Sequence, residues 1–152
     1  MKIYLLDVNK SVTNCWSKYF VNLRDENEVQ IVNQDLATFL KSHPEIDAVV
    51  SPANAFGLMD GGYDKAITNY FGKGLMEKVQ KAILEDWFGE QPVGTSIVVP
   101  IDKDTILIHT PSMRVPEPIV DSRIVYQCMR TSLISAIHYN ATNVVIDRKS
   151  VV

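Results

Sequence analysis

Cysteine is nearly missing from this sequence, with two residues, Cys15 and Cys128, in 152. Their spacing is not that of a metal site and neither neighbours a histidine. Reduced, packed thiols in a cytoplasmic protein are therefore expected, not a disulfide framework or a zinc centre. Long apolar runs are missing too. None approaches the ~18–20 residues a helix needs to cross a bilayer. The N-terminus meets Asp7 after four apolar residues, too soon for a signal peptide. Positive charge is not in surplus: the net charge is −3, with no block of one sign. That leaves no footprint for DNA or RNA binding, and no residue requires a metal or redox cofactor.

What is present is one domain's length of chain and 46% apolar residues, enough for a real core. Short β-branched runs alternate with helical patterns. Strands are expected at Ile3 to Leu6, Val29 to Val32, Ala48 to Val50, Thr95 to Ile101, Thr105 to His109 and Asn143 to Ile146. Asp102-Lys103-Asp104 makes a tight connection between the fourth and fifth. A first helix, capped by Ser11 or Thr13, carries Trp16, Tyr19 and Phe20. Polar turn residues follow at Asn22 to Asn27. One or two helical turns fit Leu36 to Leu40, ended by His43-Pro44. A helix from about Tyr63 to Asp86 is interrupted by Gly72 and Gly74, where it kinks or splits. A last helix runs from about Asp121 to Tyr139, with Val125, Met129, Leu133 and Ile137 as its apolar positions. Strands alternating with helices mean an α/β fold, a mixed sheet with helices on both faces. Ligands bind such sheets at the carboxyl ends of strands. Asn54 and Gly61-Gly62 follow one such end, and His109 to Arg114 follow another.

The stretch from Asp47 to Ile67 combines a strand, a glycine loop and a helix start, an arrangement suited to phosphate. Within it, Ser51-Pro52-Ala53-Asn54, Asp60-Gly61-Gly62-Tyr63-Asp64 and Ala66-Ile67 resemble the macro domain family, whose members bind ADP-ribose. The family pattern is a strand, Asn-Ala-Ala-Asn, a turn, a run of glycines, and a Val-Asp opening a helix. Upstream, Asn33-Gln34-Asp35-Leu36 matches the family's Gly-Asp-Ile. Downstream, Gly94-Thr95 and Ile108-His109-Thr110 match its later strands. The wording is similar to that of a bacterial or phage-associated branch.

The resemblance implies a three-layer α/β/α domain and a ligand that is ADP-ribose or a derivative, free or attached to a protein or nucleic acid. It implies that the Asp35 carboxylate accepts a hydrogen bond from the adenine amino group, with the backbone N–H of Leu36 near the base. Asn54 is implied to hold the sugar beyond the pyrophosphate, and Gly61 and Gly62 to approach the pyrophosphate. Tyr63 would stack on ligand or pack, as would Phe56. Asp64 is the implied catalytic carboxylate, orienting or activating a water, with Asn54 beside it. Each residue has a plainer reading: Asp35 as a helix N-cap, Asn54 as an Asx-turn, the glycines as a turn, Asp64 as an acid matching a helix dipole. His109 reads as structural, His43 and His138 as surface residues, and Arg114 as a phosphate contact or a solvated loop residue.

Three departures stand out. Ser51 replaces the first family Asn, and Asp60 replaces a glycine. After Ile146 the family continues into a second glycine loop and a closing helix, whereas this chain ends at Val152. Residues 1–146 are therefore expected to be an incomplete macro domain. Residues 147–152, Asp-Arg-Lys-Ser-Val-Val, are expected to be a non-native tail of the kind a sequencing adapter encodes in one frame. With half the phosphate cradle and the covering helix of the last strand absent, weak ligand binding or marginal stability is expected. Two functions are implied: binding with hydrolysis of an ADP-ribosyl bond or ester in a full-length parent, or binding alone as a reader. A structural protein of a phage or mobile element that keeps the fold is the remaining alternative.

Overall fold

The computed structural model describes residues 1–23 and 28–148. In chain order the elements are β1 (Lys2–Leu6), α1 (Lys10–Tyr19), a 3₁₀ turn (Val21–Leu23), β2 (Val29–Val32), α2 (Leu36–Ser42), β3 (Ala48–Ser51), α3 (Gly62–Phe71), α4 (Gly74–Trp87), β4 (Ile97–Pro100), β5 (Ile106–His109), α5 (Ser122–His138) and β6 (Asn143–Ile146). Most of the turn expected at Asn22 to Asn27, and residues 149–152 of the expected tail, lie outside the described residues.

The strands form one sheet in the order β2-β1-β6-β3-β5-β4. Every neighbouring pair is parallel except β4 with β5, which is antiparallel. Parallel strands are buried on both faces, so both alternating sets of side chains are apolar. Tyr4, Leu6, Val49, Leu107 and Val145 face a core built with Phe39 of α2, Ile67 of α3 and Val79 and Ile83 of α4. Leu5, Val50, Ile108, Val144 and Ile146 face the other, built with Trp16 of α1 and Ala136 of α5. The result is the expected α/β/α sandwich. Among the described residues no helix is long and apolar enough to cross a membrane.

Several local expectations hold and several shift. The helix interrupted by glycines splits into α3 and α4, with Gly72 at φ +100° ending the first. Asp102 closes the β4–β5 hairpin, its Oδ1 accepting from the backbone N–H groups of Asp104 and Thr105 at 2.9 and 2.8 Å. β4 is shorter than expected. Ser96, before it, is held by hydroxyl bonds to Thr110 and Thr131. The cap of α1 is Asn9, not Ser11 or Thr13: its side chain accepts from the Ser11 N–H at 2.9 Å, and Tyr19 is exposed. On α5 the buried stripe is Val125, Cys128, Ser132 and Ala136, and Ile137 is exposed. Steps of four residues advance the helix by more than one turn, so a strict four-residue series drifts off the core face.

The loop after β3 is fixed by Gly57. Its φ is +67°, and a Cβ there would lie 2.9 Å from Ile83 Cδ1 and 3.0 Å from Val79 Cγ1, both in the core. Left-handed backbone costs an L-residue about 1–2 kcal/mol, and overpacking adds about 1–3 kcal/mol. Gly57→Ala is expected to lower unfolding stability by about 2–4 kcal/mol by denaturant titration. Gly74→Ala, at the start of α4 with nothing near its Cβ, should be neutral or stabilising by up to about 1 kcal/mol.

Candidate functional site

Five strands share a direction, so five carboxyl ends open on one side of the sheet. There a cavity of about 450 Å³ lies over the ends of β2, β1 and β6. Its walls are Leu6 to Asn9 after β1, Gln34 to Leu36 after β2, Gly62, Tyr63 and Ala66 of α3, and Asp147 and Arg148 after β6. Of the residues singled out from sequence, Asp35, Leu36, Gly62 and Tyr63 line this space. Gly61 and Asp64 adjoin it in the chain.

Asp35 is exposed and caps α2, its carboxylate accepting from the Thr38 N–H at 2.9 Å. Hydrogen bonds from the Thr38 side chain and backbone hold its carboxyl below the ordinary value, so it is an anion at neutral pH. A carboxylate has about four lone-pair sites, so capping leaves acceptor capacity toward the cavity. Leu36 is buried in the core and also lines the cavity. Gly62 has φ +54°, which suits glycine, and Gly61, the N-cap of α3, is extended. Apart from the flanking residues and the helix's own backbone, no atom of the described residues lies within 4 Å of where a Cβ would stand at either. The space over the start of α3 is open, and the helix end supplies N–H groups and the positive end of its dipole.

Asp64, in the first turn of α3, is buried and accepts a 2.6 Å hydrogen bond from Ser51 Oγ at the end of β3. Ser51 thus donates to the carboxyl singled out from sequence as catalytic. Asn54 is buried and engaged within its own loop. Its Oδ1 accepts from the N–H groups of Phe56 and Leu58 at 3.1 and 3.3 Å, and its Nδ2 donates to Leu58 O at 3.1 Å. The side chain shapes the loop that reverses at Gly57. Asp60 is exposed.

Other candidates fall outside the cavity. Arg114 is held by Glu90 in a two-pronged ion pair, Nε to Oε1 at 2.6 Å and Nη2 to Oε2 at 3.1 Å, and lies over the Phe56 ring. His138 is exposed as expected. His43 is not a simple surface residue: it is half-buried and stacks on Phe39 with ring centroids 4.1 Å apart. Of the two thiols, Cys15 is exposed and Cys128 buried. Burial pushes the Cys128 thiol up to about 11, so it is an unreactive packed group. The Leu6 to Asn9 wall was not singled out from sequence. Its signal is topological: β1 joins β2 on one side and β6 on the other, and a strand at a switch in sheet order carries a crevice at its carboxyl end.

A family profile described as a macro-like domain matches residues 1–113. Similar solved structures include an Oceanobacillus iheyensis macrodomain with ADP, 23% identical, at a TM-score of 0.56 over 66% of this chain and 55% of that one. A Trypanosoma brucei macrodomain in complex with ADP-ribose is 21% identical, at a TM-score of 0.53 over 66% of this chain and 40% of that one. The chain thus spans about half, or less, of the structures it resembles. At these identities the likeness is one of fold.

His109 closes β5 fully buried. The Gln91 amide donates to the Thr95 and His109 carbonyls, so its Oε1 faces His109 Nδ1 as acceptor at 2.7 Å and the imidazole carries its proton there. Nε2 has no partner among the described residues. Burial lowers the pKa from 6.5 to about 3. The unfolded chain therefore binds this proton first. The stability it represents is present above about pH 6.5 and is lost as pH falls toward 3. At pH 5 the loss is about 2 kcal/mol. Denaturation from pH 7.5 to 4.5 should show this decline, and His109→Asn, which keeps a donor for Gln91, should flatten it.

Proposed function

The chain belongs to the macro-like domain family, and from that premise we propose that it binds ADP-ribose or an ADP-ribose derivative in the cleft between Asp35 and the start of α3. One observation carries the reading: Asp35, Gly62 and Tyr63 line a single cavity across the strand ends. Adjacent strands lie about 4.8 Å apart, so the four ends from β2 to β3 span about 14 Å. That is a path for an extended nucleoside diphosphate sugar. Adenine sits at Asp35 after β2, the pyrophosphate at the Gly61–Gly62 start of α3, and the second sugar toward Ser51 and Asp64 after β3. Asn54 would serve the second sugar once its loop contacts are exchanged for ligand. The complexes of the Oceanobacillus and Trypanosoma macrodomains with ADP and ADP-ribose support this ligand class.

Two extensions of the reading are distinguished by Asp64. In the first, an ADP-ribosylated protein or nucleic acid is hydrolysed, with Asp64 orienting water at the second sugar. In the second, the protein is a reader that binds without turnover. Burial of Asp64 and its short bond from Ser51 favour the reader. Free ADP-ribose released from a modified protein by wild type and lost in Asp64→Ala would establish hydrolysis. Equal inactivity would establish the reader.

Asp35 offers a clean test of the binding mode, because Asn caps helices as well as Asp. Asp35→Asn should leave unfolding stability within a few tenths of a kcal/mol and weaken ADP-ribose binding about tenfold by calorimetry, since an amide N–H₂ would face the adenine amino group. Unchanged affinity would remove the adenine from Asp35.

A further inference from the structure

A second cavity, of about 310 Å³, lies where α3 meets α4 and shares no lining residue with the cleft. That volume is at the lower end of small-molecule pockets. Residues three and four apart share a helix face. Tyr63 and Ala66 of α3 turn to the cleft, while Lys65, Thr68 and Asn69 turn to this cavity. Its floor is Met59 with Met76 of α4. Met59 is buried and pinned at both backbone groups. Its C=O accepts from the Thr68 hydroxyl at 3.1 Å, and its N–H donates to the Met76 thioether at 3.4 Å. The floor is therefore built without a ligand. A thioether is a weak acceptor, so an oxygen anion is a better partner for the Met59 N–H. At the rim, Lys65, Lys73 and Asp60 are exposed, and none of them is in an ion pair among the described residues. Two ammoniums against one carboxylate leave a single net positive charge, which suits a monoanion. Asp60, where the family pattern has glycine, lines this cavity and not the cleft.

We propose that this cavity is a second binding site, for a small apolar carboxylate. The apolar body lies on the Met59 and Met76 thioethers, and the carboxylate meets Lys65, Lys73 and the Met59 N–H. Asp60 on the same rim repels a second negative charge and so disfavours a phosphate monoester. The site stands apart from the proposed nucleotide ligand, since α3 runs between the two cavities.

The test is titration of the 152-residue chain with hexanoate, followed by the methyl resonances of its five methionines, with hexanamide as the neutral analogue of the same shape. Hexanoate should shift Met59 and Met76 saturably, with a Kd of about 1 mM, and leave Met1, Met113 and Met129 in place. Hexanamide should bind at least about fivefold more weakly, and the double variant Lys65→Gln with Lys73→Gln should raise the hexanoate Kd about tenfold. Shifts spread over all five methionines, no saturation, or equal affinity of the wild-type chain for acid and amide would overturn the site. An unchanged hexanoate Kd in the double variant would overturn it as well.

Discussion

The last strand holds the sheet together. β6 hydrogen-bonds β1 on one side and β3 on the other, and without it the β2-β1 and β3-β5-β4 halves share no ladder. Four residues make this join, and Val144, Val145 and Ile146 are fully buried between two helical layers. Asp47 sets their register. Its carboxylate accepts from the Thr142 N–H and hydroxyl at 2.8 and 2.7 Å and from the Asn143 N–H at 2.9 Å, while its own N–H donates to Asn143 O at 3.1 Å. A one-residue slip would exchange the buried and facing sets of β6, and the clasp forbids it across 95 residues of sequence. The cleft inherits that precision, because its walls are the ends of the strands that β6 aligns.

This geometry explains why the site is a line rather than a point. The acids Asp35, Asp7 and Asp147 stand past the successive strand ends of β2, β1 and β6 and line one cavity with Gly62 at the start of α3, while Asp64, in the first turn of α3, is bonded to Ser51 at the end of β3. Carboxylates accept from amino and hydroxyl groups and repel phosphate. The helix end, with its N–H groups and dipole, is where an anion is welcome. A ligand with hydrogen-bond donors at both ends and negative charge between them matches that sequence of potentials. Arg148, also in the wall, offsets Asp7 at 3.7 Å, and Arg114 lies outside the cavity with both prongs of its guanidinium on Glu90.

Much of this was legible in the chain. Periodicity located all six strands, and Gly72 and Gly74 marked the break between α3 and α4. Asp35, Gly62 and Tyr63 reached the cavity because a motif with a physical rationale placed them at strand ends. What was hidden depended on tertiary order. The Leu6 to Asn9 wall becomes a site only because β6 arrives beside β1 at the other end of the sequence. Asn9 outcompeted Ser11 and Thr13 as the α1 cap because helix starts are settled by backbone geometry within one turn. His43 is half-buried because its partners, Phe39 and Tyr4, come from one helix turn back and from β1, which its local sequence does not show.

Asn54 and Tyr63 carry opposite lessons about polar groups near a ligand. The Asn54 amide is fully employed without one, holding Phe56 and Leu58 in a loop whose reversal at Gly57 is locked by the core. Such a group can contribute only by exchanging bonds, so its net gain on binding is small. The Tyr63 phenol is in the reverse position. Its desolvation is already complete in the folded chain, so a partner supplied by a ligand adds a bond without breaking one. Discrimination between ligands is cheapest where the protein has left a buried donor unmatched, because the wrong ligand leaves it so. In this cleft that condition falls at Tyr63, whose buried Oη has no partner among the described residues.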